Sequence, residues 1–196
     1  MRRIVAAEYL SLDGVTEDPG PTEDFDRPGD DFEHAGWTLP YWNDELSELQ
    51  SELLFTSEAL LLGRVTYQEF VASWPKRSGD PFTEKINSMP KFVASTTLKE
   101  PLEWNARLLE GDTVQAVEQL KQQPGKDLLI YGSGELVNTL MQHGLIDSFR
   151  LMLYPLMLPG GKRLFREPGD RTTLTLANTK TTSTGVVVLT YERSQE

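Results

Sequence analysis

Short apolar runs alternate along the chain with segments in which apolar residues recur every three or four positions. The runs predict buried strands, and the periodic segments predict helices between them. The predicted strands cover residues 3–11, 58–63, 91–96, 127–132 and 147–158. The predicted helices cover residues 41–55, 64–74, 112–125 and 133–144. This alternation predicts an α/β fold with a mostly parallel central sheet and helices on both of its faces.

The end of the chain has a different pattern. Residues 172–193 alternate between apolar and polar side chains, with a turn signal near Ser183 to Gly185, and this pattern predicts a C-terminal antiparallel β-hairpin at one edge of the sheet. A chain of 196 residues is long enough for one substantial core. Because neither an internal repeat nor a linker interrupts it, we expect a single domain over residues 1–196.

An acidic segment separates the first predicted strand from the first predicted helix. Residues 17–36 contain eight Asp or Glu residues, three prolines and three glycines, with Arg27 as the only Lys or Arg. This composition predicts a long acidic loop. Loops of this length in compact domains are commonly lids, binding loops or mobile segments.

Composition narrows the function further. The formal net charge of −11 disfavours nucleic acid and anionic membranes as partners. No apolar run approaches the roughly 20 residues that span a bilayer, and the N-terminus does not resemble a signal peptide, so we expect a cytoplasmic protein. The chain has no cysteine and only two histidines, His34 and His143, so we expect no metal site. An anionic ligand would have to be held by local donors.

Two junctions supply such donors. In "LLLGRVTYQEF" (60–70) and in "LLIYGSGELV" (128–137), a predicted strand passes through glycine into a predicted helix. Glycine allows close approach of a phosphate, and a helix start offers free N–H groups. The alternative is that these glycines only end strands. The hydroxyl cluster at residues 95–97 likewise either binds a phosphate or forms a turn stabilised by its own side chains.

Five segments together carry a resemblance to a known family. The chain resembles the dihydrofolate reductase fold, and most closely the bacterial dihydrofolate reductase-like proteins related to the reductase domain of riboflavin biosynthesis. The resemblance implies a three-layer sandwich with the mostly parallel sheet in its centre. The segments, which occur in the family's order, are "VAAEYLSLDG", "LLLGRVTYQEF", "KFVAST", "LLIYGSGELV" and "LYPLMLPGGKRLF".

The resemblance implies NADPH as the cofactor and assigns residues to each of its parts. The first glycine turn would hold phosphates, the hydroxyl segment would read the adenosine 2′-phosphate, the second glycine turn would lie at the pyrophosphate, and the first strand would meet the nicotinamide amide. In that order, the residues are Gly63, Arg64 and Thr66; Ser95 and Thr96; Gly132, Ser133, Gly134, Glu135 and Leu136; and the backbone of Ala6 and Ala7.

The resemblance also indicates a substrate side. Asp13 belongs to the turn that leads into the active-site loop. Tyr41 and Trp42 either stack on a flat heterocycle or are ordinary packing. Asp44 is the candidate for the carboxylate that supports protonation of the substrate, and its alternative role is that of a helix N-cap. Lys162 and Arg163 are interpreted as part of a solvated turn.

These observations lead to two hypotheses of different classes. The first is an NADPH-dependent reductase that transfers a hydride to a small planar heterocycle, pterin- or aminouracil-like, in a homodimer. The second is a non-catalytic dinucleotide-binding or interaction module that retains the fold. The second would be favoured if the two glycine junctions did not converge on one open cleft. Carboxylates of the acidic loop near the substrate would oppose a phosphorylated substrate.

Overall fold

Eight strands form one sheet in the part of the chain described by the computed structural model, residues 1–21, 32–165 and 171–194. The strands are β1 Ile4–Ser11, β2 Ser57–Gly63, β3 Lys91–Ala94, β4 Ala106–Leu108, β5 Asp127–Tyr131, β6 Ser148–Tyr154, β7 Leu174–Thr181 and β8 Val187–Arg193. The α-helices are α1 Asp44–Thr56, α2 Arg64–Ser73, α3 Pro81–Ser88, α4 Thr113–Gln122 and α5 Gly134–Gln142. Two short 3₁₀ turns, Leu39–Tyr41 and Trp74–Lys76, flank α1 and α2.

The strand order is β4-β3-β2-β5-β1-β6-β8-β7. All neighbours from β4 to β6 are parallel, whereas β8 runs antiparallel to β6 and β7 runs antiparallel to β8. The mostly parallel sheet and the terminal antiparallel hairpin that the sequence predicts are therefore confirmed. The prediction of an acidic loop at residues 17–36 falls largely on residues 22–31, which lie outside the described residues.

Two apolar clusters cover the two faces of the sheet. Residues alternate along β1, so that Val5 packs into one cluster with Leu54 of α1, while Ile4 packs into the other with Leu140 of α5. Buried apolar side chains of α1, α2 and α3 belong to the first cluster, and those of α4 and α5 belong to the second. The helices thus form the outer layers of a three-layer sandwich, as predicted.

The hydrophobic pattern of the sequence does not predict two short elements, α3 and β4. Helix α3 has only eight residues, of which two are buried, and its start is fixed by the cap Asp80 and by Pro81 rather than by apolar periodicity. Strand β4 has three residues, none of them fully buried. The strand predicted over residues 147–158 is shorter in the structure, since β6 covers only Ser148–Tyr154. None of the described helices is long and apolar enough to cross a membrane.

A lysine lies fully buried at the start of β3. The ammonium group of Lys91 donates a hydrogen bond to the carbonyl oxygen of Asn87 at 3.0 Å and lies 3.9 Å from the ring centroid of Trp104. No carboxylate pairs with it among the described residues. Burial therefore lowers the pKa of Lys91 to about 7.

Replacement of Lys91 by methionine should flatten the dependence of stability on pH. Above about pH 7 the folded chain releases this proton, whereas the unfolded chain keeps it up to about pH 10.5. The unfolded state then binds more protons, so the free energy of unfolding rises with pH, by up to about 1.4 kcal/mol per unit for one group. Urea unfolding at pH 7, 8 and 9 should show this slope in the wild type but not in Lys91→Met.

The exposed Lys126 offers a matched control, because Lys126→Met removes the same atoms from a solvated side chain. This variant should keep the wild-type slope. Identical slopes for the wild type and Lys91→Met would contradict a low pKa for Lys91.

Candidate active site

A cleft of about 1360 Å³ opens at the carboxyl ends of β2, β3 and β5. It also borders the part of β1 that extends beyond the end of β5. Strand β5 ends at Tyr131, which pairs with Ala7, whereas β1 continues beside β6 to Ser11. Beyond Ala7 the β5 side of β1 therefore has no neighbouring strand, and Glu8 and Tyr9 line the cleft. Ligands of parallel α/β sheets bind at such carboxyl ends.

The two glycine junctions meet in this cleft and are hydrogen-bonded to each other. The N–H of Gly63 donates to Oγ of Ser133 at 2.9 Å, and the N–H of Ser133 donates to Oγ1 of Thr66 at 3.0 Å. The hydroxyl of Ser133 donates in turn to the carbonyl oxygen of Tyr131 at 3.1 Å. The start of α2 and the start of α5 are thereby held side by side.

Glycine occurs at Gly132 and at Gly63 for different structural reasons. Gly132 has φ +54°, and a Cβ there would lie 3.2 Å from Oγ1 of Thr66, so a side chain would be both strained and crowded. Ser133 also lies in the left-handed region, with φ +61°, although it is not glycine. Gly63 has φ −77° and ψ 161°, which any residue can adopt. At Gly63, absence of a side chain keeps the backbone open beside Ser133.

The N-termini of α2 and α5 differ from those of the other α-helices. Side chains of Asn43, Asp80 and Asp112 cap α1, α3 and α4, but no side-chain hydrogen bond caps α2 or α5. The uncapped first turns line the cleft, and an uncapped first turn leaves N–H groups and a partial positive charge for a ligand. The residues of these turns are Arg64, Val65 and Thr66 in α2, and Gly134, Glu135 and Leu136 in α5.

A cation and a hydroxyl segment extend this donor set. Arg64 is exposed at the cleft, and its guanidinium donates to Oε1 of Gln68 at 2.9 Å. Ser95 and Thr96 follow β3 and also line the cleft. Oγ of Ser95 accepts the N–H groups of residues 97 and 98 at 3.1 and 3.0 Å, so the self-stabilised turn forms at the cleft itself. All residues predicted for the cofactor phosphates thus line one cleft.

The two alanines predicted at the nicotinamide do not line the cleft. Ala6 and Ala7 are fully buried, and their strand is paired on both sides at this level, with β5 and with β6. The next two residues of the strand, Glu8 and Tyr9, line the cleft instead.

Of the residues expected to contact the substrate, some line the cleft in the structure and others do not. Trp42 lines the cleft, with its indole N–H donating to Oγ of Ser47 at 2.9 Å. Tyr41 does not line the cleft; its ring packs on Tyr154 with a centroid distance of 5.7 Å. This position favours ordinary packing for Tyr41 over stacking on a heterocycle.

Asp13 also lies outside the lining of the cleft. Its carboxylate accepts hydrogen bonds from the hydroxyl of Ser11 at 2.6 Å and from the N–H of Leu158 at 3.2 Å, and both bonds lower the pKa of Asp13, the Ser11 bond most. The other oxygen pairs with Arg163 at 3.0 Å. Asp13 therefore joins the turn after β1 to the segment after β6.

The proton-relay role expected for Asp44 has no support from its position. Asp44 is the exposed first residue of α1 and does not line the cleft. Nor is it the N-cap, because Asn43 occupies that position and accepts the N–H of Leu46 at 3.0 Å. A carboxylate on this first turn faces solvent, where it complements the helix dipole.

Lys162 and Arg163 are exposed in the turn after β6, as interpreted from the sequence, and both also line the cleft. Lys162 forms an ion pair with Glu17, and Arg163 pairs with Asp13. Their charges are thus largely matched by carboxylates. Within the described residues, no cluster of three His, Asp or Glu side chains could hold a metal ion.

The sequence reasoning overlooked Glu8, a lone carboxylate in an otherwise apolar stretch of β1. Glu8 is 1% exposed. Its Oε2 accepts the hydroxyl of Thr16 at 3.4 Å, and its Oε1 has no hydrogen-bond partner. Burial raises the pKa of Glu8 well above its usual range, which favours the neutral form of this carboxyl. A charge in a strand predicted to be buried on both faces is the signal that would have identified it.

Tyr9, Gln50 and Tyr131 were also not predicted. They line the cleft and form a hydrogen-bonded group on the α1 face of the sheet. The pattern of α1 marks its leucines as core positions, and nothing in that pattern distinguishes Gln50 from an exposed polar residue.

Comparison with known proteins identifies the family to which the chain belongs. The model of the RibD C-terminal domain matches residues 2–188, and the chain belongs to this family. Among curated proteins, it is 32% identical over 195 residues to YyaP of Bacillus subtilis, covering 97% of this chain and 94% of YyaP. It is 28% identical over 130 residues to YwjB of the same organism, covering 66% of this chain and 71% of YwjB. Both relatives are named uncharacterized proteins.

Solved structures share the fold. A protein from Shewanella sp. PV-4, described as a riboflavin biosynthesis protein, superposes with a TM-score of 0.70 at 20% identity, covering 98% of this chain and 99% of that one. A pyrimidine reductase-like protein from Corynebacterium diphtheriae superposes with a TM-score of 0.64 at 12% identity, covering 100% and 93%. These likenesses confirm the dihydrofolate reductase-like fold, and membership of the family supports a reductase-type role.

Replacement of Thr66 by valine should destabilise the site from its base. Thr66 is 8% exposed, and its hydroxyl is the acceptor for the N–H of Ser133. The isosteric change leaves a part-buried donor unsatisfied, which costs about 1–3 kcal/mol. Urea unfolding of Thr66→Val should show this loss. The matched change Thr56→Val, at an exposed threonine that bonds only within α1, should alter stability by less than about 0.5 kcal/mol. Equal effects of the two changes would contradict the link between the junctions.

Proposed function

We propose that this protein is an NADPH-dependent reductase that transfers a hydride to a small planar heterocycle, pterin- or aminouracil-like. The observation that carries the proposal is the convergence of two uncapped helix N-termini on one cleft, joined by the hydrogen bonds of Ser133. Two adjacent N-termini suit a diphosphate, because each offers N–H donors and a partial positive charge. The reductase-type role of the family agrees with this arrangement.

The donor set fits each charged part of NADPH. The first turns of α2 and α5, with Arg64, would bind the diphosphate, and Ser95 and Thr96 would bind the 2′-phosphate, as the resemblance implies. When bound, NADPH supplies the hydride. The polypeptide would position the cofactor. The N–H groups and Arg64 would hold its phosphates at one end of the cleft, and the unpaired edge of β1 would bound the other end.

The acceptor side of the cleft is aromatic. Trp42 lies near β1, while Phe70, Trp74 and Phe82 line the part formed by α2 and α3. Flat heterocycles stack well on such rings. Carboxylates also line the cleft, and the cations Lys162 and Arg163 already pair with acids, so an uncharged acceptor suits the site better than a phosphorylated one.

The non-catalytic alternative would be favoured if the two junctions did not converge on one open cleft. Gly63 and Ser133 are in direct contact at the cleft, and this contact supports the reductase over an interaction module without a cofactor site. The homodimer stays a prediction; the edge strand β7, exposed along almost its whole length, is the surface to examine for it.

Replacement of Arg64 by alanine should weaken NADPH binding about 10- to 100-fold, the effect of losing a charged hydrogen bond to phosphate. Because Arg64 is exposed, the free energy of unfolding should change by less than about 0.5 kcal/mol. Titration with NADPH, followed by tryptophan fluorescence at two salt concentrations, measures both the affinity and its expected decline with salt.

The matched control is Arg107→Ala, because Arg107 is an exposed cation on β4 that packs over Phe92 and does not line the cleft. This variant should bind NADPH like the wild type. Wild-type affinity in Arg64→Ala, or a loss of folding that equals the loss of binding, would contradict the assignment of Arg64 to the cofactor.

A further inference from the structure

A buried amide organises the hydrogen bonds beside β1. Gln50 of α1 is 3% exposed. Its Nε2 donates to the hydroxyl oxygen of Tyr9 at 2.6 Å and contacts Sδ of Met152 at 3.0 Å, while its Oε1 accepts the hydroxyl of Tyr131 at 3.1 Å. Gln50, Tyr9 and Tyr131 line the cleft, whereas Met152 lies in the core behind them.

The thioether fixes the orientation of this amide. A sulfur of this type accepts weakly and cannot donate, so the NH₂ group of Gln50 must face Met152. Reversal of the amide would place its carbonyl oxygen against the sulfur, with lone pairs facing lone pairs. Tyr9 lies on the same side as Met152 and therefore receives a hydrogen bond from Gln50.

Among the hydrogen-bond donors of Gln50, Tyr131 and Tyr9, one proton has no acceptor in the described residues. Both amide protons of Gln50 are used, and the only hydroxyl proton of Tyr131 is used. The hydroxyl of Tyr9 accepts, but its own proton has no acceptor among the described residues. A network that satisfies every donor except one, with that donor on the half-buried Tyr9 at the wall of a cleft, leaves the donor for a ligand.

The ring of Tyr9 is held in place for this contact. It packs edge-on against Trp42 and Tyr154, with centroid distances of 6.4 and 5.9 Å. Burial raises the pKa of Tyr9 well above its usual range, so the hydroxyl keeps its proton at neutral pH. Such a weak acid donates a hydrogen bond without giving up its proton.

We propose that the hydroxyl of Tyr9 donates a hydrogen bond to the heteroatom of the bound heterocycle, and that the reducible bond of this substrate is therefore a ring C=N or C=O. The inference rests on the proposed function. The hydride of NADPH would add to the carbon of that bond, and the π electrons would move to the heteroatom, where the donor stabilises the new charge. One proton from water then completes the reduction, giving the dihydro product and NADP⁺.

Tyr154 provides a matched control for the test. Its hydroxyl is buried without a hydrogen-bond partner, and it does not line the cleft, although its ring touches that of Tyr9. Tyr154→Phe therefore removes the same atom from the same aromatic cluster without altering the cleft.

The experiment compares the wild type, Tyr9→Phe and Tyr154→Phe in three measurements: NADPH affinity, affinity for dihydrofolate and for lumazine as heterocyclic probes, and oxidation of NADPH with each probe. We expect unchanged NADPH affinity in all three proteins. We expect Tyr9→Phe to lower turnover of a reduced probe about 100-fold, the size typical of a lost transition-state donor. For a probe that binds without being reduced, its affinity should fall about 10-fold. Tyr154→Phe should behave like the wild type.

Each contrary result has its own meaning. Probe affinity and turnover within twofold of the wild type in Tyr9→Phe would overturn the role of Tyr9 and leave the reductase intact. A wild type that binds NADPH but neither heterocycle would overturn the proposed class of acceptor, and the role of Tyr9 with it. A folded wild type that does not bind NADPH would overturn the proposed function, and this inference would fall for that separate reason.

Discussion

The hydrogen bonds of Ser133 are the constraint on which the cleft depends. One residue in the left-handed conformation accepts the N–H of Gly63, donates its own N–H to Thr66 and donates its hydroxyl to Tyr131. A serine in this conformation is unfavourable, and three hydrogen bonds offset the strain. Because these bonds join β2, α2, β5 and α5, the two helix N-termini cannot separate without breaking them.

This local arrangement acts against the charge of the whole chain. A net charge of −11 repels anions at long range, but salt screens such repulsion beyond about 10 Å. The cleft is lined by several carboxylates, but also by the two uncapped N-termini and Arg64, which act over short distances. The contrast with the capped helices α1, α3 and α4 shows that capping is withheld only where the cleft lies. Position, rather than total charge, thus decides what the site can bind.

The sequence predicted what depends on periodicity and on glycine. It located seven of the eight strands and four of the five α-helices of the described chain, and it placed both glycine junctions. It could not locate β4 or α3, whose few buried residues give no periodic signal. It also could not show that Asp44 lies outside the cleft, because spacing along a helix does not reveal whether its first turn faces a cleft or solvent.

The polar residues of β1 are unusual on energetic grounds. A central strand of a parallel sheet is normally apolar on both faces, since an unpaired buried polar group costs several kcal/mol in an apolar medium. Strand β1 nevertheless places Glu8 and Tyr9 in succession, with an unpartnered oxygen on the first and an unused proton on the second. Both lie just beyond the point where β5 ends, and nowhere deeper in the strand. Folding gains nothing from incomplete hydrogen bonding at this level, and such incompleteness at the wall of a cleft is the pattern expected where a ligand binds.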